Sequence, residues 1–362
     1  MKIDIHCHAL GNGMDINNTE KDIYFNVEDN PHWLTRILYD MVEKDLKKNG
    51  ADFNRDGKIS TDEYFELLYR LLVTAEEIDG IVLLGLDAVY SPETGKLNKQ
   101  KTDLWVSNVF LNDKISALNE RLRSESDPSR KKKRFFLGAS VSPNRKKWED
   151  ELEYVLKKTD AVLVKWIPSV QHINVNDERH KEFYNALANN NMPLLCHVGP
   201  EYSFPEGIHK KHLDNFRFLE TPLKYGVTVI AAHCAAPVFP LIDKNKIKEF
   251  HALMKDANGD GTVRLWADTS ALSLSTRIPL LPEIRKLFPP QWLIHGSDFP
   301  IPIEGWPHGP WVTTDMTLEE YTEILKVENP FDRDVMIKRA HGFSDSILEN
   351  AEKEEVLLTP AT

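Results

Sequence analysis

Eight short apolar runs, separated by stretches with a helical pattern, constrain the fold of this chain more than any other feature. The runs are Lys2–Cys7, Gly80–Leu86, Arg134–Val141, Ala161–Trp166, Pro193–Val198, Val227–Ala232, Val263–Asp268 and Trp292–His295. Most are continuously apolar, which is typical of strands buried on both faces of a parallel sheet. Helical patterns lie between them, for example at Leu104–Arg123, Trp148–Lys157 and Glu178–Asn189. Eight alternations of strand and helix predict an α/β fold, the closed (β/α)8 TIM barrel.

The spacing between the runs is uneven in one place. About seventy residues separate the first run from the second, where a βα unit usually needs only ~30. Two helical patterns, His32–Lys48 and Thr61–Glu77, occupy the excess. We therefore expect residues 1–362 to form a single barrel domain, with residues 31–78 as a helical insertion between its first two strands. No linker rich in Pro, Gly or Ser divides the chain.

Between the two helical patterns lies a loop of the EF-hand type. Residues 52–63 read D-x-N-x-D-G, with an apolar residue at position 8 and Glu at position 12. The expected calcium ligands are the side chains of Asp52, Asn54 and Asp56, the backbone carbonyl of Lys58, a water or hydroxyl at Ser60, and the bidentate carboxylate of Glu63. An Asp-rich loop that caps the following helix is the alternative. EF-hands usually work in pairs, which weakens the calcium prediction.

The first apolar run ends in a His-x-His pair. In an extended strand, residues i and i+2 point to the same side, so His6 and His8 aim both imidazoles at one point. Neutral imidazoles that converge in this way suit a divalent metal such as zinc. An isolated pair of this kind is more often a coincidence at a polar strand end, so the prediction depends on the rest of the chain.

Side chains of metal-ligand type also lie at, or just after, the ends of four further runs. They are Lys165 on the fourth, His197 on the fifth, His233 after the sixth and Asp298 just after the eighth. Taken singly, each has an ordinary structural explanation, such as a buried core histidine or a turn-capping aspartate. In a barrel, however, all strand ends converge on one face, and that face carries the chemistry. The joint occurrence therefore predicts a metal site.

With these residues in place, the sequence resembles the amidohydrolase superfamily of metal-dependent barrel hydrolases. It is similar to the branch that includes small-molecule hydrolases, lactonases and non-oxidative decarboxylases. The resemblance extends from Ile5-His6-Cys7-His8 to the Asn329–Val335 and Ala340–Phe343 segments, and the EF-like insertion is outside the usual pattern. It implies that His6, His8, His197, His233 and Asp298 are the metal ligands.

The resemblance leaves two roles open for Lys165. In binuclear members a carboxylated lysine at this place bridges two metals. His6, His8 and Asp298 would then hold one ion, and His197 and His233 the other. In mononuclear members one ion suffices, His233 orients the reacting group, and an unmodified Lys165 can bind a substrate carboxylate. We favour two zinc ions slightly.

The resulting hypothesis is a hydrolase that cleaves an ester, lactone or amide bond with a metal-activated hydroxide. Asp298 is the general base, and His233 supports the oxyanion or holds a second ion. Two alternatives stay open. One is a mononuclear decarboxylase of an aromatic or unsaturated acid, and the other is a calcium-responsive interaction protein on a barrel scaffold. Specificity is expected from residues in the loops after the strands: His172, Glu201, Tyr202, Ser270, Trp306, His308 and Trp311.

Composition narrows the range of partners. The formal net charge of −11 argues against nucleic acid or an anionic membrane surface. Three cysteines, none in a CxxC arrangement, fit a reducing compartment. We see neither a secretory signal nor an apolar run of transmembrane length. We therefore expect a soluble, cytoplasmic protein that takes a small-molecule substrate, and a homo-oligomer is compatible with the sequence.

Overall fold

The computed structural model describes residues 1–11, 13, 17–25, 33–51, 59–204, 210–303 and 316–357. Several residues singled out in the sequence lie outside this description, namely Asp52, Asn54, Asp56, Lys58, Trp306, His308 and Trp311. The predicted calcium loop is therefore described only at its carboxyl end.

Eight parallel strands form one sheet in the order β1-β3-β5-β6-β7-β8-β9-β10. They are β1 (Ile3–His8), β3 (Gly80–Leu84), β5 (Arg134–Ala139), β6 (Ala161–Trp166), β7 (Leu194–Cys196), β8 (Val229–Ala231), β9 (Leu265–Asp268) and β10 (Leu293–Ile294). Each lies within or overlaps one of the eight apolar runs, so the predicted barrel is confirmed. Within the described residues, two further strands, β2 (Tyr24–Phe25) and β4 (Leu104–Trp105), form a separate antiparallel ribbon.

Backbone hydrogen bonds bring the last strand back to the first. The Ile5 N–H donates to the His295 carbonyl at 3.1 Å, and the His8 N–H donates to the Phe299 carbonyl at 2.8 Å. Cys7 and Phe299 form a parallel bridge between the same two segments. The chain that follows β10 is thereby held against β1, although the two segments are almost 300 residues apart in sequence.

Alternate residues of the strands face two different apolar layers. Val82 and Leu84 of β3 belong to a cluster inside the barrel, which takes residues from all eight strands. Ile81 and Leu83 pack outward, in the layer between the strands and the helices. The interior is thus filled by side chains, as in other (β/α)8 barrels, and only the strand ends are left for a site.

The helices lie between and after the strands. Their bounds are α1 (Trp33–Lys48), α2 (Thr61–Thr74), α3 (Asn108–Arg123), α4 (Pro128–Lys131), α5 (Trp148–Lys158), α6 (Pro168–Gln171), α7 (Lys181–Asn189), α8 (Glu220–Lys224), α9 (Ile247–Ala257), α10 (Leu281–Leu287), α11 (Leu318–Leu325), α12 (Pro330–Ala340) and α13 (Ser346–Lys353). Among the helices of the described residues, none has the length and apolarity to cross a membrane.

One predicted helix begins later than the sequence pattern indicated. The pattern starts at Leu104, but α3 starts at Asn108, because the Ser107 hydroxyl caps it by accepting the Phe110 N–H at 3.3 Å. Leu104 and Trp105 pair with β2 instead. Apolar residues just before a helix cannot be distinguished from its first turn by periodicity alone.

Helices α1 and α2 occupy the long stretch between β1 and β3, where two helices were predicted. Helix α2 begins with a capping box, in which the Ser60 N–H donates to Glu63 Oε2 at 2.9 Å and the Glu63 N–H donates to Ser60 Oγ at 3.2 Å. Its apolar face is buried, and the ring of Tyr64 stacks on Phe299 with centroids 6.4 Å apart. Helix α2 is therefore part of the packing at the strand ends.

A candidate metal centre at the strand ends

A β-bulge in β1 turns both histidines of the His-x-His pair into the barrel mouth. Asp4 pairs with Ile81 and Cys7 with Leu83, so three steps along β1 match two along β3. Ile5 therefore lies in the inner cluster, whereas Cys7, two residues later, packs in the outer layer. The alternation of side chains reverses at the bulge, a device that often re-aims a side chain beside an active site.

Three buried side chains from different strand ends place their donor atoms together. His6, His233 and Asp298 each offer one donor atom, and these atoms lie within 4.8 Å of one another. His6 Nε2 is 3.1 Å from Asp298 Oδ1, and the His6 and His233 ring centroids are 5.3 Å apart. Two imidazole nitrogens and one carboxylate oxygen match the ligand types that zinc takes in catalytic sites.

A carboxylate that the sequence prediction missed fixes the tautomer of His6. His6 Nδ1 lies 2.7 Å from Asp268 Oδ2, and both residues are fully buried. Because a carboxylate only accepts, Nδ1 carries the proton and Nε2 presents its lone pair to the other donors. Burial raises the pKa of Asp268, but attraction to His6 and the hydrogen bonds that it accepts leave it below its usual range. Asp268 is therefore an anion that orients His6.

Asp268 also anchors His233, together with Ser270. The His233 N–H donates to Asp268 Oδ1 at 2.8 Å, and the Ser270 hydroxyl donates to the same oxygen. His233 Nδ1 lies 3.1 Å from the Ser270 carbonyl and 2.7 Å from the Ser270 hydroxyl. Nδ1 is therefore the protonated nitrogen here too, and Nε2 carries the lone pair. Ser270, predicted only as a specificity residue, helps to orient the imidazole of His233.

His197 extends the cluster on the side of β7. Its Nδ1 lies 3.2 Å from His233 Nε2 and 3.7 Å from Glu201 Oε2. Its Nε2 is buried and has no hydrogen-bond partner among the described residues. A buried nitrogen with no partner in this part of the chain is what an ion would satisfy. Glu201, predicted as a specificity residue, is 9% exposed and faces this histidine.

His8 and Asp298 complete the side of the cluster next to β1. His8 Nε2 and His6 Nε2 each lie 3.1 Å from Asp298 Oδ1. Burial raises the pKa of Asp298, but the nearby His6, His233 and His8 hold it well below the usual range. Asp298 is thus an anion at neutral pH, as both a metal ligand and a general base require.

Lys165 lies in the same cluster. The side chain is buried, and its Nζ lies 3.0 Å from His6 Nε2. Burial lowers the pKa of Lys165, while attraction to Asp268 and Asp298 opposes that change. The amine therefore lies where it can either carry a carboxyl group or contact a substrate carboxylate.

The buried imidazoles are held in the neutral form that a metal ion requires. Burial lowers the pKa of His197 from 6.5 to about 4. Burial also lowers the pKa of His6, with a further contribution from Lys165, and lowers that of His233 well below its usual value. The donor set therefore fits a divalent ion both in ligand type and in protonation.

Two of the three converging donors sit on strained backbone. His233 has φ 59° and Asp298 has φ 70°, both in the left-handed region. A residue with a Cβ atom pays roughly 1–2 kcal/mol there. The Asp298 N–H donates to the His6 carbonyl at 2.7 Å, which holds this conformation against β1. Such strain is typical of functional sites.

All six predicted site residues lie in one contiguous cluster, from His8 through Asp298 and His6 to Lys165, His233 and His197. Asp268 was missed. Asp268 is the last residue of the seventh apolar run, so a polar residue at that strand end was a usable signal.

Comparison with known protein families gives one match. A family model described as "Amidohydrolase" matches residues 78–331, which is more than half of the chain. The matched range contains Lys165, His197, His233, Asp268 and Asp298. No protein among those with curated descriptions matches the chain.

Solved structures resemble the chain at low sequence identity. An uncharacterised TIM-barrel protein from Bordetella bronchiseptica is 15% identical with a TM-score of 0.51, over 97% of this chain and 99% of that chain. This likeness supports the barrel fold alone. A putative 2-pyrone-4,6-dicarboxylic acid hydrolase from Pseudomonas putida is 12% identical with a TM-score of 0.48, over 96% of this chain and 93% of that one.

Proposed function

The chain belongs to the amidohydrolase family, and from this premise we propose that it is a metal-dependent hydrolase of small molecules. The bond cleaved in this proposal is an ester, lactone or amide bond. The single observation that carries it is the convergence of His6, His233 and Asp298 donor atoms within 4.8 Å. His8 and His197, in direct contact with this group, are the further ligands in the proposal.

A divalent ion held by these residues supplies polarisation of a carbonyl and lowers the pKa of a bound water. Asp298, anionic beside two imidazoles, takes the proton of the attacking water and returns it to the leaving group. A positioned acid–base group of this kind typically contributes ~10²–10⁴-fold in rate. His233, with Nδ1 held by Ser270, keeps its Nε2 side toward the reacting atoms. Asp268 keeps His6 in the required tautomer.

The convergence of His6, His233 and Asp298 on one point supports a single ion. The Lys165 amine lies 3.0 Å from His6 Nε2 and belongs to the same cluster. A two-ion centre requires that Lys165 carry a carboxyl group. The one-ion and two-ion forms are distinguished by intact-mass measurement under native conditions and by measurement of the number of zinc ions per chain. One ion and no added CO₂ mass support the single-ion form, whereas two ions with that mass support the other.

The test of the hydrolase proposal combines metal analysis with a substrate panel. The purified chain is assayed with lactones, esters, amides and aromatic carboxylates, before and after chelation and after addition of zinc. Hydrolysis that is lost on chelation and restored by zinc supports the proposal. A chain that binds no divalent ion at the histidines, or that hydrolyses nothing on the panel with metal bound, contradicts it.

A mononuclear decarboxylase is the second candidate, and the buried Lys165 amine favours it. An amine next to His6 and the anionic Asp298 is suited to hold the carboxylate of an aromatic or unsaturated acid. The same substrate panel distinguishes the decarboxylase from the hydrolase, because decarboxylation releases CO₂ from a carboxylate and leaves lactones and amides intact.

We further propose that residues 31–78 are an insertion whose loop, residues 52–63, binds calcium. The support is the ligand pattern in the sequence. In the structure Glu63 accepts the Ser60 N–H at 2.9 Å, so calcium has to compete with this cap. Calorimetric titration with calcium is compared between the wild type, Glu63→Gln, and the control Glu66→Gln on the exposed face. Binding that Glu63→Gln does not weaken contradicts the site.

If calcium binds and no metal binds at the histidines, the alternative of a calcium-responsive interaction protein is favoured instead.

We propose that the protein is located in the cytoplasm and that its partner is a small-molecule substrate. The three cysteines are buried free thiols, which supports a reducing compartment. Fractionation that finds the native protein outside the cytoplasm contradicts this assignment.

A further inference from the structure

Three successive residues after β8 adopt the left-handed conformation, and none is glycine. They are His233 (φ 59°), Cys234 (φ 52°) and Ala235 (φ 53°). Residues with a Cβ atom visit this region as isolated residues, because the Cβ atom crowds the following carbonyl oxygen. Three in a row form a turn that the surrounding structure must hold in place. The turn carries His233 into the metal centre.

The start of this turn is held by Asp268. Its carboxylate accepts the His233 N–H at 2.8 Å, and its backbone carbonyl accepts the Cys234 thiol at 3.2 Å. Inside the turn, the Ala236 N–H donates to the His233 carbonyl at 2.9 Å. These bonds fix the start of the turn. The carbonyls of Ala236 and Pro237, where the chain leaves the turn, need hydrogen-bond donors from another part of the fold.

The exit of the turn is held by Arg277. Its Nε donates to the Pro237 carbonyl at 3.2 Å, and its Nη2 donates to the Ala236 carbonyl at 3.3 Å. The side chain is only 3% exposed. Four carboxylates act on the guanidinium electrostatically and offset part of the cost of burying its charge, namely Asp298, Glu201, Asp243 and Asp268. A planar fork with several donors suits two adjacent carbonyls better than an ammonium does.

We propose that Arg277 is a positioning residue of the metal centre, which holds the left-handed turn so that His233 presents Nε2 to the other donors. Both contacts described above go to the backbone that leaves the turn, so Arg277 acts through that backbone. That His233 is a metal ligand rests on the proposed function. That Arg277 orients the imidazole of His233 does not depend on the proposed function.

The test uses four variants of the full chain. Arg277→Gln removes the cation and most donors, and Arg277→Lys keeps the charge without the fork. Ala235→Gly is combined with Arg277→Gln, because glycine adopts the left-handed region without strain. The matched control is Arg217→Gln, an arginine whose side chain is 57% exposed and pairs with Glu220.

Two readouts are measured beside thermal stability. Zinc affinity is measured by competition with a chromophoric chelator. The tautomer of His233 is followed by imidazole ¹⁵N chemical shifts in metal-free protein, with the signal assigned by its loss in His233→Gln. Groups that orient a metal ligand typically contribute about 10- to 100-fold in affinity. We expect a loss of this size in Arg277→Gln, a smaller loss in Arg277→Lys, and recovery when Ala235→Gly is added.

The outcomes separate the two proposals. If the wild type binds no zinc, the proposed function fails, and the ¹⁵N signal of His233 alone decides the role of Arg277. Wild-type affinity and an unchanged His233 signal in Arg277→Gln overturn the role of Arg277. If Arg277→Gln does not fold, Arg277→Lys and the glycine double variant decide, and failure of the glycine to restore the His233 signal also overturns it.

Discussion

The hydroxyl of Tyr64 donates a hydrogen bond to the backbone carbonyl of His8 at 2.8 Å. It joins helix α2, in the long stretch between β1 and β3, to the strand that carries two candidate ligands. Tyr64 is fully buried and also stacks on Phe299, which follows Asp298 directly. Helix α2 therefore supports both sides of the candidate metal centre, and a change in α2 should alter the geometry of that site.

The first prediction concerns this hydrogen bond. Tyr64→Phe keeps the ring and removes the donor, so the His8 carbonyl loses a partner inside the protein. Loss of one partner of a buried polar group costs about 1–3 kcal/mol. We expect a fall of this size in the free energy of unfolding, measured by urea, and weaker zinc binding. Tyr154→Phe, at a half-buried tyrosine on α5, is the control. Unchanged zinc affinity in Tyr64→Phe would argue against support of the site by α2.

The second prediction concerns Asp268. Asp268→Asn removes the negative charge that selects the Nδ1–H tautomer of His6, and an amide can present a donor where the carboxylate only accepts. We expect zinc affinity to fall about 10- to 100-fold. Chelator competition measures this, with the exposed Asp260→Asn as control. Equal affinities in the two variants would show that His6 is oriented without Asp268.

The third prediction concerns the proposed general base. Asp298→Asn keeps the size of the side chain and removes its basicity, so turnover should fall ~10²–10⁴-fold. The assay is run at zinc concentrations that saturate the variant, because Asp298 is also a proposed ligand. Normal turnover in metal-loaded Asp298→Asn would be incompatible with this role.

The fourth prediction concerns stability against pH and a histidine outside the metal centre. Burial lowers the pKa of His180 from 6.5 to about 4. Between these values the unfolded chain binds a proton that the folded chain does not, so stability falls as the pH is lowered through this window. The contribution is up to roughly 3 kcal/mol, at 1.36 kcal/mol per pKa unit.

Urea unfolding at pH 7 and pH 5 measures this effect. His180→Gln should show a smaller difference between the two pH values than the wild type, since glutamine does not titrate. His212→Gln, at an exposed histidine, is the control and should behave as the wild type does. An undiminished pH dependence in His180→Gln would assign the effect to other groups.

Much of the fold could be predicted because apolar runs and helical patterns are local properties of the chain. All eight barrel strands were found in this way, whereas the ribbon of Tyr24–Phe25 with Leu104–Trp105 was not. Leu104 and Trp105 stand at the start of a helical pattern, and Tyr24–Phe25 lies outside the eight apolar runs, so neither was recognised as a strand. The start of α3 was misplaced for the same reason, since the cap at Ser107 is visible only once the neighbouring residues are known to pair elsewhere.

The sequence by itself determined the eightfold alternation of strand and helix, and the side chains of ligand type at the strand ends. Only the tertiary structure decided which nitrogen of His6 faces the site, that a bulge turns the His-x-His pair inward, and that Arg277 donates to the carbonyls of Ala236 and Pro237. These features depend on contacts between residues far apart in sequence, 40 positions for Arg277 with Pro237 and 262 for His6 with Asp268. Such contacts exist only after the barrel has closed, so no local pattern in the chain records them.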